Sequence, residues 1–302
     1  MRHFTSFLFA RLKRDFGLSA RIILSFIILG ILYVLFLSVL HYLGIGYIPL
    51  AIIASAMILA QWYFSDKIVL WTSGAKIVSK DDYPKLHDII ERLASKNGIP
   101  KPKVAVVNTQ VPNAFATGKS PKSSLVAVTN GILNLLDDDE LEAVIGHELT
   151  HVRSRDILVL TLASVFSTVA WYLAQFGFFG GIQSRNRDSA STTIIVIVVA
   201  IVTWIVSFLI IRAISRYREY AADRGGAAMT GNPDKLADAL LKISGKMNNI
   251  PTKEIERVQK LNAFFIIPAL SGNSIANLFS THPPVEKRVA KLREMKTGMG
   301  QL

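Results

Sequence analysis

Four stretches of the chain are almost free of polar positions. They are RIILSFIILGILYVLFLSVLHYLG (21–44), YIPLAIIASAMILAQWYF (47–64), ILVLTLASVFSTVAWYLAQFGFF (157–179) and TTIIVIVVAIVTWIVSFLIIRAI (192–214). Each approaches or exceeds the roughly 20 apolar residues that cross a bilayer core as a helix. They fall into two pairs. The link inside the first pair, Leu43 to Gly46, is uncharged, and the link inside the second holds Arg185, Arg187 and Asp188. Two transmembrane hairpins are the simplest reading. The first run has the position of a signal peptide. Its apolar part is too long and no small-residue cleavage site follows, so it reads as a retained anchor.

Between and after the hairpins the pattern changes to the periods of a packed soluble domain. DDYPKLHDIIERLASKNG (81–98) places Leu86, Ile89, Ile90 and Leu93 at helical spacing, with Pro84 in the first turn and Asn97-Gly98 at the end. KVAVVN (103–108) and SLVAVT (124–129) are short, valine-rich strands. NAFATG (113–118) between them reads as a strand with an exposed edge. Asp137-Asp138-Asp139-Glu140 opens a helix, since acidic residues favour the positive end of its dipole. After the fourth run, NPDKLADALLKI (232–243) is a helix capped by Asn232 with Pro233 at its first position, and PPVEKRVAKLREM (283–295) is another. LNAFFIIPALSG (261–272) is apolar, broken by Pro268 and Gly272, and too short to span.

The expected organisation therefore has four parts: an N-terminal tail and hairpin over 1–65, a first domain segment over 66–156, a second hairpin over 157–214, and a second domain segment over 215–302. The two domain segments together make one domain, interrupted by the second hairpin.

Composition agrees with a membrane protein. Of 302 residues 51% are hydrophobic, and the formal net charge is +12; mean hydropathy is +0.37. The positive charge is explained by loop bias and requires no nucleic acid. Arg2, Arg11, Lys13, Arg14 and Arg21 precede the first run, Lys67, Lys76 and Lys80 follow the second, and Arg212, Arg216 and Arg218 follow the fourth. Both termini and the middle segment are thus expected in the cytoplasm, with both links outside. Trp62, Trp71 and Trp171 suit the interface, whereas Trp204 is central enough to fill the bundle. The chain has no cysteine, which excludes disulfides, thiolate metal sites and cysteine nucleophiles.

The chemistry concentrates in His147-Glu148-Leu149-Thr150-His151. Histidines four apart leave one face of a helix and can share one ion. A carboxylate beside the first histidine can take the proton of a metal-bound water. The competing reading is a solvated helix face carrying two histidines by chance. A catalytic zinc needs a third protein ligand, here a histidine or a carboxylate. In Arg218-Glu219-Tyr220-Ala221-Ala222-Asp223, Glu219 can ligate and Asp223 can accept the second N–H of a ligand histidine. The alternative is an acidic pair at i, i+4 serving solubility. A hairpin would bring these stretches together, with the helix of the paired histidines running into the third run and the fourth run running out into Glu219: His151 lies about six residues before the third run and Glu219 about five after the fourth, so both sit some 7–9 Å beyond the spans. Thr281-His282-Pro283-Pro284 is a helix start that also offers His282 as a donor to a developing oxyanion. Arg288 is a rival for that role, and Tyr217 and Tyr220 are weaker ones. His3, His41 and His87 read as ordinary surface or interfacial residues.

NAFATG (113–118), GHELTHV (146–152), REYAAD (218–223) and THPPVEKRV (281–289), in this order and with an apolar hairpin between the second and third, resemble the HtpX membrane zinc metalloproteases. These are bacterial and archaeal quality-control enzymes related to the CAAX prenyl proteases. The final motif of that family more often reads ERI where this chain has Lys287-Arg288-Val289. The resemblance covers nearly the whole chain. It implies a multi-pass α-helical membrane protein with a cytoplasmic α+β, zincin-like (gluzincin) domain. It implies one Zn2+ held by His147, His151 and Glu219, Glu148 as the base, and Asp223 in support. It makes Asn113, Ala114, Phe115, Ala116, Thr117 and Gly118 candidates for pairing with an extended substrate backbone. It also implies stress-linked hydrolysis of misfolded or damaged membrane proteins at the cytoplasmic face of a prokaryotic plasma membrane, the inner membrane in a Gram-negative cell. Protein substrates and the lipid bilayer are the expected partners. Two other readings stand beside this zinc metalloendopeptidase: a processing protease for one lipidated or peptide substrate, and a non-proteolytic scaffold whose zinc has His282 as a fourth ligand.

Overall fold

The computed structural model describes residues 16–42, 47–181, 187–247, 250 and 282–299. The expected segments around 261–272 and at Thr281 lie outside them, as do His3 and most of the N-terminal basic cluster. The chain forms two compact units. One comprises 16–63 and 158–215, and the other 1–15, 64–157 and 216–302.

The apolar unit is built from helices. They are α1 (Phe16–Tyr42), α2 (Tyr47–Tyr63), and the parts within this unit of α7 (Asp156–Gly181) and α8 (Arg187–Thr230). By length and composition α1 and Thr192–Thr230 of α8 can cross a membrane. Phe36 and Leu40 pack with Val169, Ala170, Ala174, Val196 and Ala200. Trp171 and Trp204 lie 4.9 Å apart, so Trp204 fills the bundle. The Tyr33 hydroxyl donates to the Ala163 carbonyl over 2.8 Å, giving a buried polar tip its partner. Ile23, Leu24, Ile27, Ile31, Val34, Ile194, Val198 and Val202 are exposed. Continuous apolar exposure on this scale suits lipid and not water.

The second unit contains a four-stranded sheet. Its strands are β1 (Lys76–Ile77), β2 (Lys103–Val107), β3 (Ala114–Thr117) and β4 (Leu125–Thr129), in the order β1-β2-β4-β3. β2 runs parallel to β4, while β1 and β3 run antiparallel to their neighbours. Strand residues alternate between two buried faces. Val104, Val106, Val126 and Val128 join the main core, with Leu86, Ile90 and Leu93 of α4 (Pro84–Lys96). Ala105, Val107, Phe115 and Ala127 face Val69 of α3 (Ser65–Ser73) on the other side. Burial on both faces is why β2 and β4 read as unbroken apolar runs. α5 (Asn130–Leu135), α6 (Asp138–Ser154), α9 (Pro233–Met247) and α10 (Val285–Met299) complete the unit.

Two expectations need correcting. The helix bearing the paired histidines does not run into the third apolar run. It stops at Ser154, Arg155 adopts the left-handed conformation (φ 53°), and α7 begins at Asp156. His87 is not a surface residue. It is buried, and its Nε2 lies 3.2 Å from the Val78 carbonyl.

Candidate active site

α6 is defined at its start by a capping box. The Asp137 carboxylate accepts from the Glu140 N–H over 2.9 Å, and the Glu140 carboxylate accepts from the Asp137 N–H over 2.9 Å. Two turns on, the helix turns His147, Glu148 and His151 into the domain, and all but the half-buried His151 are buried. α8 packs against this segment at glycine. A Cβ on Gly226 would come within 2.8 Å of the His147 nitrogen, and one on Gly225 within 2.4 Å of the Thr150 side chain. Only residues without a side chain allow the two backbones this close.

The close approach brings Glu219 of α8 to the two histidines. The Nε2 atoms of His147 and His151 are 3.1 Å apart. They lie 3.7 and 3.5 Å from the carboxylate oxygens of Glu219. One donor atom from each of the three residues falls within 4.8 Å of the others. The Nδ1 atoms point the opposite way, each to a carboxylate. His147 Nδ1 is 3.0 Å from Asp223, and His151 Nδ1 is 2.7 Å from Asp156. With the ring proton on Nδ1, toward the carboxylate, each Nε2 is left as a bare lone pair. Two lone pairs facing each other at 3.1 Å repel unless a cation lies between them.

α10 closes the site. Arg288 is 0% exposed and donates through Nε and Nη2 to the two oxygens of Asp223, over 2.9 and 2.6 Å. Its Nη1 lies 3.4 Å from Glu219. Burial opposes the charge on Arg288, but Asp223 and Glu219 outweigh it and raise the pKa. His282 places Nδ1 2.9 Å from Glu219 and is not among the three grouped donors. Burial lowers the pKa of His147, which keeps its imidazole neutral.

Glu148 lies against the edge strand. Its carboxylate accepts from the Ala116 N–H, and burial pushes its pKa up to about 7. The register explains the contact. Asn113 and Thr129 exchange bonds through the Asn113 carbonyl and the Thr129 N–H, so Ala114 and Ala116 turn their backbone groups to the unpaired edge. The rest of the 113–118 stretch has other surroundings. Asn113 N–H donates to Thr129 Oγ1, the Phe115 ring sits in the sheet's second core, and Thr117 is buried. Gly118 ends the strand at φ 128° with the Ser123 carbonyl 2.6 Å from where a Cβ would be. Tyr220 is not grouped with the donors; its ring carries Lys291 Nζ at 4.2 Å.

Asp156 escaped the sequence reading, as did the binding of Arg218 to it. At i+5 from His151, Asp156 would sit about 140° around an unbroken helix. No periodicity would have paired them.

Residues 80–296 match the model of peptidase family M48. A protease HtpX homolog of Moorella thermoacetica is 51% identical over 292 residues, covering 96% of this chain and 98% of its own length. Protease HtpX homolog 2 of Methanosarcina acetivorans is 49% identical, covering 95% and 98%. The crystal structure of S. mikatae Ste24p shares the fold with a TM-score of 0.56 and 19% identity, over 89% of this chain and 64% of that one. The HxxxH pair, the convergent glutamate and near full-length relatives named as proteases all agree, and the chain belongs to peptidase family M48 as a membrane metalloprotease.

Proposed function

We propose that this protein is a zinc endopeptidase of the prokaryotic plasma membrane that cuts misfolded or damaged membrane proteins at the cytoplasmic face. The observation that carries the reading is the facing pair of Nε2 atoms 3.1 Å apart with Glu219 beside them. Two imidazoles and one carboxylate fit a catalytic zinc, leaving a position open. His147, His151 and Glu219 would hold the ion, which when bound supplies Lewis acidity and activates water near neutral pH.

The chain's own groups do the rest. Glu148, with its pKa pushed up to about 7, takes a proton from the attacking water and returns it to the leaving amine. The outward backbone groups of β3 that Glu148 does not take, those of Ala114 and the Ala116 carbonyl, pair with the substrate backbone and hold it extended next to Glu148. His282 is the donor to the developing oxyanion, on the side of Glu219. Arg288 has a different task from the oxyanion role its position in the sequence suggests. Its fork holds Asp223, and Asp223 aims His147. The zincin-like arrangement, the four spans and the cytoplasmic orientation form part of the same proposal. They are supported by four apolar helices and by the basic residues that flank the runs.

The test is cleavage of several unrelated unfolded membrane proteins by the full chain in detergent. 1,10-Phenanthroline should abolish cleavage and zinc should restore it. Undiminished cleavage in the chelator would exclude the metalloprotease mechanism, and a single sharply defined substrate would favour a processing enzyme.

A further inference from the structure

Each histidine of the pair has a carboxylate on Nδ1, and each carboxylate is clasped by an arginine. For His147 the partners are Asp223 and Arg288. For His151 they are Asp156, whose Oδ2 lies 2.7 Å from Nδ1, and Arg218, whose Nη2 donates to Asp156 Oδ1. We propose that Asp156, held by Arg218, is the positioning residue of His151, fixing its Nδ1–H tautomer and aiming Nε2 at the metal.

The backbone is built to deliver Asp156 there. Arg155 is the one non-glycine residue with positive φ among the described residues. Such a conformation is unfavourable for a side chain as large as arginine and persists where the surroundings impose it. Its turn ends α6 and starts α7 so that Asp156 comes back to His151. Arg218 also donates to the Ser154 carbonyl over 3.0 Å, one of the last carbonyls of α6. Arg218 precedes Glu219 on α8. One side chain therefore links the end of the histidine helix, the carboxylate that orients His151, and the position of the third ligand. Asp156 is buried and the Arg218 side chain is 13% exposed, so the pair is largely shielded from water. A hydrogen-bonded carboxylate on a ligand imidazole raises its basicity, and loss of such partners typically costs about 10–100-fold in metal affinity.

The inference rests on His151 being a metal ligand, and the test separates the two claims. The full chain in detergent is titrated with zinc against a chromogenic chelator, and the absorption spectrum of the cobalt-substituted protein is recorded. Asp156→Ala should weaken zinc binding by about 10–100-fold and move the cobalt bands, with Asp156→Asn intermediate. Arg218→Lys keeps a cation but loses the planar guanidinium whose Nη2 reaches both Asp156 and the Ser154 carbonyl, so it should weaken binding by less than about tenfold; it serves if Asp156→Ala does not fold. Wild-type affinity and an unchanged cobalt spectrum in both Asp156 variants, with only a lower melting temperature, would reduce Asp156 to a helix-end contact and overturn the proposal. His151→Ala should lose tight zinc binding, and retention of wild-type affinity there would overturn the ligand reading itself.

Discussion

At the scale of single residues, the site is a problem of buried charge. Glu219 and Asp223 are buried carboxylates, Arg288 is the buried cation between them, and His147 is kept neutral. The surplus of negative charge suits a dication. Removing Arg288 leaves Asp223 buried without its bidentate partner. Arg288→Met should destabilise the protein by about 3–5 kcal/mol, measured as a lower melting temperature in detergent. Arg288→Lys should recover only part of this, because an ammonium cannot reproduce the fork. The histidine pair, Glu148 and the Glu219/Asp223 pair were legible in the sequence because helical spacing puts i and i+4 on one face. The task of Arg288 and the presence of Asp156 were not. One depends on where α10 packs, and the other on a single residue at φ 53°.

At the scale of elements, α6 is specified by its start and by the surface it offers to α8. Asp137→Ala removes the capping box and should cost about 1 kcal/mol. The Glu140 N–H and Lys235 lower the Asp137 pKa. A carboxyl lowered by folding stabilises the fold above its unfolded pKa, and that contribution disappears as pH falls through the folded value. The difference in melting temperature between wild type and Asp137→Ala should therefore shrink below about pH 4, and a constant difference would show that the cap acts without its charge. Gly226→Ala places a carbon 2.8 Å from the His147 nitrogen and 3.0 Å from its Cα. The helices must separate, so zinc occupancy and melting temperature should both fall, with a stability loss of about 1–3 kcal/mol. β2, β4, α4 and α10 were legible from their periodicity, though ends moved by a few residues. α3 and the two-residue β1 were not. α3 matters through Val69, which covers the second face of the sheet, and a contact so distant along the chain leaves no local pattern.

At the scale of the whole molecule, the four apolar runs all became helices, and the basic residues around them predict which ends share a compartment. The absence of cysteine makes this directly measurable, since one introduced thiol is the only one present. In intact cells Ile45→Cys and Ser184→Cys should react with a membrane-impermeant maleimide. Lys96→Cys and Thr297→Cys should react only after the membrane is opened. Labelling of Lys96→Cys in intact cells would reverse the orientation.

Whether Glu148 is the base of a metal-dependent peptidase is decided by comparing wild type with Glu148→Gln, measuring bound zinc and cleavage of a model membrane protein on the same preparations. Glutamine keeps the shape of the side chain and cannot accept the proton. Wild type and variant should each hold one zinc per chain, and the variant should lose cleavage by a factor of about 10²–10⁴. Full cleavage by a zinc-loaded Glu148→Gln protein would exclude Glu148 as the base.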